Sequence, residues 1–126
     1  MNLPPNSIIA SGPVIIEDNK VLLNKHGDDD FWKFCGGEVE DFNTSLEDNA
    51  RREAREEMGI EIEISRPLKP LMVKRPDGSV VVLIHFLAKR LGEIKPGPDI
   101  IEWNWFPIDN LPANCAPNIA EVLKNL

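Results

Sequence analysis

Apolar positions along the chain recur with two periods, and the change of period marks the elements. Residues 8–16 are rich in β-branched side chains and predict a strand. Glu17, Asp18, Asn19 and Lys20 form a polar turn, and residues 21–24 its return strand. Residues 25–30 are a charged loop ending in three aspartates, and residues 31–35 an aromatic-rich strand that runs into Gly36 and Gly37. Between residues 44 and 58 the period becomes helical, with Leu46, Ala50, Ala54 and Met58 at four-residue steps. Thr44 or Ser45 can cap this helix, Glu47 and Asp48 suit its positive end, and Gly59 ends it. Ile60, Ile62 and Ile64 alternate with glutamates, as in a half-buried strand. Residues 71–75 and 80–88 predict two strands joined by the turn Pro76-Asp77-Gly78-Ser79. Residues 95–98 are a loop, residues 103–108 a further strand, and Pro117 can open a last helix through Leu126. The order predicts an α/β (α+β) sandwich with a mixed sheet.

Composition adds bounds. A chain of 126 residues, 42% hydrophobic and 28% charged, suits one globular domain over residues 1–126. The net charge of −7 argues against nucleic acid or an anionic membrane as partner. That charge is uneven: residues 27–63 hold 13 acids and 4 bases, and the rest of the chain 8 acids and 10 bases. Cys35 and Cys115 show no zinc spacing, and two reduced thiols in a cytoplasmic protein is the expectation. The first residues lack a basic leader pattern, and the longest apolar run, residues 80–88, is too short to cross a bilayer.

The uneven charge leads to the central helix. Along Arg52-Glu53-Ala54-Arg55-Glu56-Glu57, the three glutamates fall within an arc of about 100° on one face. Such carboxylates repel unless a cation sits among them, and oxygen ligands without Cys or His select Mg²⁺ or Mn²⁺ over zinc. The competing reading is a solvated acidic face with i,i+4 pairs such as Arg52–Glu56.

The stretch from Gly37 to Ile60 resembles the Nudix box, G-x5-E-x7-R-E-U-x-E-E-x-G-U, with U a bulky aliphatic. Arg52, Glu53, Ala54, Glu56, Glu57, Gly59 and Ile60 match its second half, with Ala54 small for its position. In the first half six residues, rather than five, separate Gly37 from Thr44, which stands where the box has its first glutamate. The segments WKFCGGEVE and LPANCAPNIAEVL are similar to parts of the MutT-type triphosphate pyrophosphatases in that family. The resemblance implies a Nudix-like α/β/α sandwich and Mg²⁺-dependent hydrolysis of a nucleoside diphosphate linked to a further group. A (d)NTP pyrophosphatase releasing NMP and pyrophosphate is the leading expectation, with oxidised guanine nucleotides a candidate substrate.

The same resemblance assigns roles. Glu56 and Glu57 are the expected first metal ligands, Glu53 a ligand or base, and the Gly37 carbonyl a further ligand. Arg52 orients the glutamates, and Glu102 or Asp99 supplies an extra ligand or a base. Lys25 and Lys33 flank the glycine turn and can hold phosphates, Phe34 can stack on a base, and Asn114 matches an asparagine that reads the base. His26 is expected to be incidental, His85 structural, and Trp103 and Trp105, which share one sheet face, part of the core. Two alternatives accompany this reading. Pro76, downstream of the box, is compatible with an ADP-ribose or nucleotide-sugar pyrophosphatase, and Thr44 with a non-catalytic domain of the same fold that binds a nucleotide or a protein. The expected partner is a small nucleotide, with the chain a monomer or homodimer.

Overall fold

The computed structural model describes residues 2–126. Its elements follow as β1 (Ile8–Glu17), β2 (Lys20–His26), β3 (Gly37–Glu38), α1 (Leu46–Met58), β4 (Glu61–Pro67), β5 (Leu71–Lys74), β6 (Val80–Leu91), β7 (Ile100–Pro107) and α2 (Asn118–Lys124). The sheet runs β4-β6-β1-β2-β7, with β3 on β1 and β5 on β6. β1 and β6 are parallel, from Ile8 opposite Val81 to Ile15 opposite Ala88, while the other strand pairings are antiparallel. The sheet is therefore mixed, as the element order predicts.

Alternation along the central strands sends side chains to two cores. Val14, Val21 and Leu23 pack with Trp32 and with Ile119 and Val122 of α2. Their neighbours Ile15 and Leu22 pack on the other face with Ala54 and Met58 of α1. The helices thus cover opposite faces, which gives the expected three layers. α1 forms by local rules. Asp48 N–H donates to Ser45 Oγ at 3.0 Å, Gly59 closes the helix in the left-handed region at φ 65°, and Ala50, Ala54 and Met58 are fully buried. The last carbonyls receive partners from a distant loop: Gly97 N–H donates to Glu57 O at 2.9 Å and Lys95 N–H to Met58 O at 2.8 Å.

One irregularity places the site. β1 pairs with β2 only at Ile16 and Glu17, and with β3 at Ala10 and Ser11. Between those contacts β1 and β2 part, and the chain before β3 enters the gap. A side chain on Gly12 would collide with the Cys35 carbonyl and the Gly36 Cα, so the close approach requires glycine there. Residues 31–35 are consequently not the strand predicted. They are held by two isolated bridges, Lys33 to Asn24 and Trp32 to Cys115. Trp103, expected in the core, stays 36% exposed on β7, a strand at the sheet edge.

Candidate active site

α1 turns Glu53 and Glu57, one helical turn apart, toward the Gly36–Gly37 turn, where they are 8% and 7% exposed. A Cβ on Gly37 would overlap the Glu53 carboxylate, so that glycine forms a cradle for it. Gly36 N–H donates to Glu57 Oε1 at 3.4 Å. Burial, and then the adjacent Glu53, push the Glu57 carboxyl up to about 8, against the opposing pull of Gly36 N–H and Lys33. Burial and the charges of Glu57 and Glu53 likewise hold the Cys35 thiol well above its ordinary value. It stays a donor, with Sγ 3.6 Å from the Glu53 carbonyl. Both cysteine thiols are free.

Glu56 departs from the expectation of three converging carboxylates. Arg52 Nη1 donates to its two oxygens at 3.1 and 3.0 Å and turns it outward. This is the i,i+4 pair that the helix spacing also permitted. Among the described residues no three acidic, imidazole or thiol side chains gather as a metal cluster. The other nitrogen of the fork, Arg52 Nη2, donates to Glu53 Oε1 at 3.0 Å and to Asn49 Oδ1 at 2.8 Å. Thr44 is directed elsewhere, its hydroxyl donating to Asp41 Oδ2 at 3.2 Å.

The donor set fits a hard divalent cation. Glu53 and Glu57 are adjacent and buried, Arg52 bonds Glu53, and without a cation the raised Glu57 carboxyl keeps its proton at neutral pH. The Gly37 carbonyl lies in the same cradle, and all of these ligand atoms are oxygens.

A cavity of about 170 Å³ adjoins Gly36 and Gly37, lined among others by Phe31, Lys33, Phe34, His85 and Asn118. Lys33 reaches it while paired with Asp29 at 3.1 Å. Phe34 meets His85 edge-on, with ring centroids 5.0 Å apart. Burial draws His85 down to about 4, so it is neutral near pH 7, and its buried Nδ1 has no partner. Phe31, 38% exposed, lines the cavity together with Phe34. Both rings reach it because the segment is not a strand and its side chains do not alternate.

Other expected residues lie elsewhere. Lys25 stacks over Trp32, 4.9 Å from its centroid, and pairs with Glu102 at 3.8 Å across β2 and β7. Asp99 uses its backbone carbonyl to accept from Gly27 N–H at 2.8 Å. Neither Asp99 nor Glu102 forms a cluster with the helix glutamates. Asn114 is not a cavity residue: its amide donates to the Asp30 carbonyl at 2.6 Å and its own carbonyl accepts from Trp32 N–H at 2.8 Å. Asn118, four residues on, lines the cavity instead.

Residues 8–126 match the family model of the NUDIX domain. A relative from Methanocaldococcus jannaschii named as an ADP-ribose pyrophosphatase is 34% identical over 110 residues, covering 82% of this chain and 64% of its own length. The chain thus spans less than two thirds of the curated relative it matches. Among solved structures, a MutT NUDIX hydrolase from Burkholderia pseudomallei is similar with a TM-score of 0.86 and 26% identity, over 96% of this chain and 98% of that one. A NUDIX hydrolase from Nitrosomonas europaea shares the fold, with a TM-score of 0.82 and 18% identity over 95% and 88% of the two chains.

Proposed function

The chain belongs to the NUDIX family, and from that footing we propose that it is a divalent-metal-dependent hydrolase of small nucleotides in which a nucleoside diphosphate is joined to a further group. The observation that carries this reading is the buried Glu53–Glu57 pair, cradled by Gly37 and adjoining a cavity with aromatic walls. Glu53, Glu57 and the Gly37 carbonyl would hold Mg²⁺ or Mn²⁺, with Glu56, here paired with Arg52, as a further ligand. The bound cation supplies charge neutralisation at the phosphate oxygens and a more acidic water. The chain itself positions the substrate. Phe31 and Phe34 border the space for a base. Lys33, close enough to lower the Glu57 carboxyl, brings positive charge to the phosphate end. Arg52 restrains Glu53 and Glu56.

Two substrate readings rest on different observations. Likeness to the MutT structure over nearly the whole of both chains supports a (d)NTP, cleaved to NMP and pyrophosphate. The relative at 34% identity supports ADP-ribose, cleaved to AMP and ribose 5-phosphate. Asn114, whose amide is bonded to the Asp30 carbonyl, lends oxidised guanine no further support. A panel of (d)NTPs, oxidised dGTP and ADP-ribose with Mg²⁺ decides between them. Turnover of at least one compound, abolished by chelation, is expected. Full turnover by a Glu56→Gln, Glu57→Gln double variant would overturn the metal-site assignment. Binding of a nucleotide without any hydrolysis would favour a non-catalytic domain.

A further inference from the structure

Asn49 was not singled out by the box, yet its buried side chain makes three hydrogen bonds beside the carboxylates. It lies on α1 and is 2% exposed. Its Nδ2 donates to Ser11 Oγ at 2.9 Å and to the Gly37 carbonyl at 3.2 Å, and its Oδ1 accepts from Arg52 Nη2 at 2.8 Å. The orientation of the amide follows from its partners. Ser11 Oγ gives its proton to the Leu46 carbonyl at 2.9 Å and can only accept from Asn49. The Gly37 carbonyl can only accept, and a guanidinium can only donate. A flipped amide would lose all three bonds. Both amide protons are thus used, and the carbonyl oxygen faces a cation.

The guanidinium of Arg52 has carboxylates on two sides, Glu53 at 3.0 Å and Glu56 at 3.0 Å. Of these two, Glu53 is buried and Glu56 exposed, so only one of them is a fixed partner. The bond from Nη2 to Asn49 ties it to a buried group that is itself anchored on β1 and β3. Thr44 does not take this part, because its hydroxyl is bound to Asp41.

We propose that Asn49 is a positioning residue of this site, fixing the Arg52 guanidinium and the Gly37 carbonyl in register with Glu53. It links the two sides of the cradle, helix and turn, through one rigid amide. Asn49 is bonded to Arg52 and to the Gly37 carbonyl, and its effect passes through them. The role in turnover rests on the hydrolase reading above, whereas the role in holding Arg52 and the cation site does not.

The test is a double-mutant cycle with two readouts, kcat and Mn²⁺ binding by calorimetry. Asn49→Ala is expected to lower kcat by about tenfold with little change in KM, the size expected when a bond to a charged group is lost. Mn²⁺ binding is expected to weaken by about fivefold or more. Asn49→Ala combined with Arg52→Ala is expected to lose less than the product of the two single losses, because part of the effect of Asn49 passes through Arg52. Independent, multiplying losses, or unchanged Mn²⁺ affinity in Asn49→Ala, overturn the proposal. Should the alanine variant not fold, Asn49→Ser serves in the same cycle, since its hydroxyl can bond back to the Ser45 carbonyl. If the wild-type chain hydrolyses nothing in the panel, the hydrolase reading fails. The Mn²⁺ cycle then still decides the role of Asn49.

Discussion

Helix α1, which carries Glu53 and Glu57, and residues 31–36, which pack beside that pair, keep their shapes by different means. α1 is held from within: Ser45 caps it, Gly59 closes it, and Arg51–Asp48 and Arg52–Glu56 brace its surface. Residues 31–36 are held from outside. Trp32 N–H donates to Asn114 O and Ala116 N–H to Trp32 O, both at 2.8 Å, while Lys33 and Asn24 exchange two bonds at 2.9 Å. The proposed chemistry therefore rests on an element that forms by local rules. The cavity that would select the substrate is shaped by the C-terminal tail. Changes in that tail should alter substrate choice while leaving the carboxylates in place.

The sharpest way to break this comparison is Glu57→Gln. With saturating Mg²⁺ it should lower kcat by about 10²- to 10³-fold, since a charged metal ligand is lost. The melting temperature of the metal-free protein should not fall, because a buried ionisable group has been removed. An unchanged kcat would take the chemistry away from α1.

Next in size is the joint between the two regions. Gly12→Ala places a methyl group on the Cys35 and Gly36 backbone, which cannot move aside as a flexible side chain would. Urea titration should show a loss of about 3 kcal/mol. A loss under about 0.5 kcal/mol would mean that the turn can shift freely against β1.

A pH experiment on the metal-free protein separates the regions by charge. The Glu57 carboxyl is raised from 4.5 to about 8, so its stabilising proton is fully held below 4.5 and lost as pH rises through 8. His85 is lowered from 6.5 to about 4, so its contribution is present above 6.5 and lost as pH falls through 4. Between 4.5 and 6.5 the two oppose, and above 6.5 Glu57 acts alone. Stability should therefore fall by about 1–2 kcal/mol from pH 6.5 to 8, and Mg²⁺ should reverse the fall. Denaturant titrations at both pH values check this, and a slope that persists in Glu57→Gln would assign it to another group.

The smallest effect is expected at the cavity. Phe31→Ala should raise KM by about fivefold through lost stacking, with kcat within about twofold and stability within about 0.5 kcal/mol. A larger fall in kcat than rise in KM would mean that the two regions are not separable.

Some of the site was legible because its rules are local. The spacing of Arg52, Glu53, Glu56 and Glu57, the cap at Ser45 and the stop at Gly59 all lie within one helix. Asn49 was within reach of the same reasoning, three residues before Arg52 on the same helix, but an asparagine there carries no motif. The orientation of Glu56 was not legible because spacing defines a face and does not define a rotamer. The ion pair with Arg52 made that choice. The setting of Asn114 was not legible, because likeness of sequence does not show that the Asp30 carbonyl takes its amide.

The sequence by itself determined the helix with its caps, the alternating strands, the mixed-sheet class and the excess of acid on one segment. These follow from side-chain period and backbone preference over a few residues. Tertiary structure decided where β1 and β2 part, which aromatic rings reach the cavity, and which two of three glutamates face inward. Those outcomes depend on partners far apart in the chain, such as Gly12 with Cys35 and Trp32 with Asn114. No pattern within either segment names its distant partner. Only closure of the fold brings them into contact, and packing then selects one arrangement of side chains.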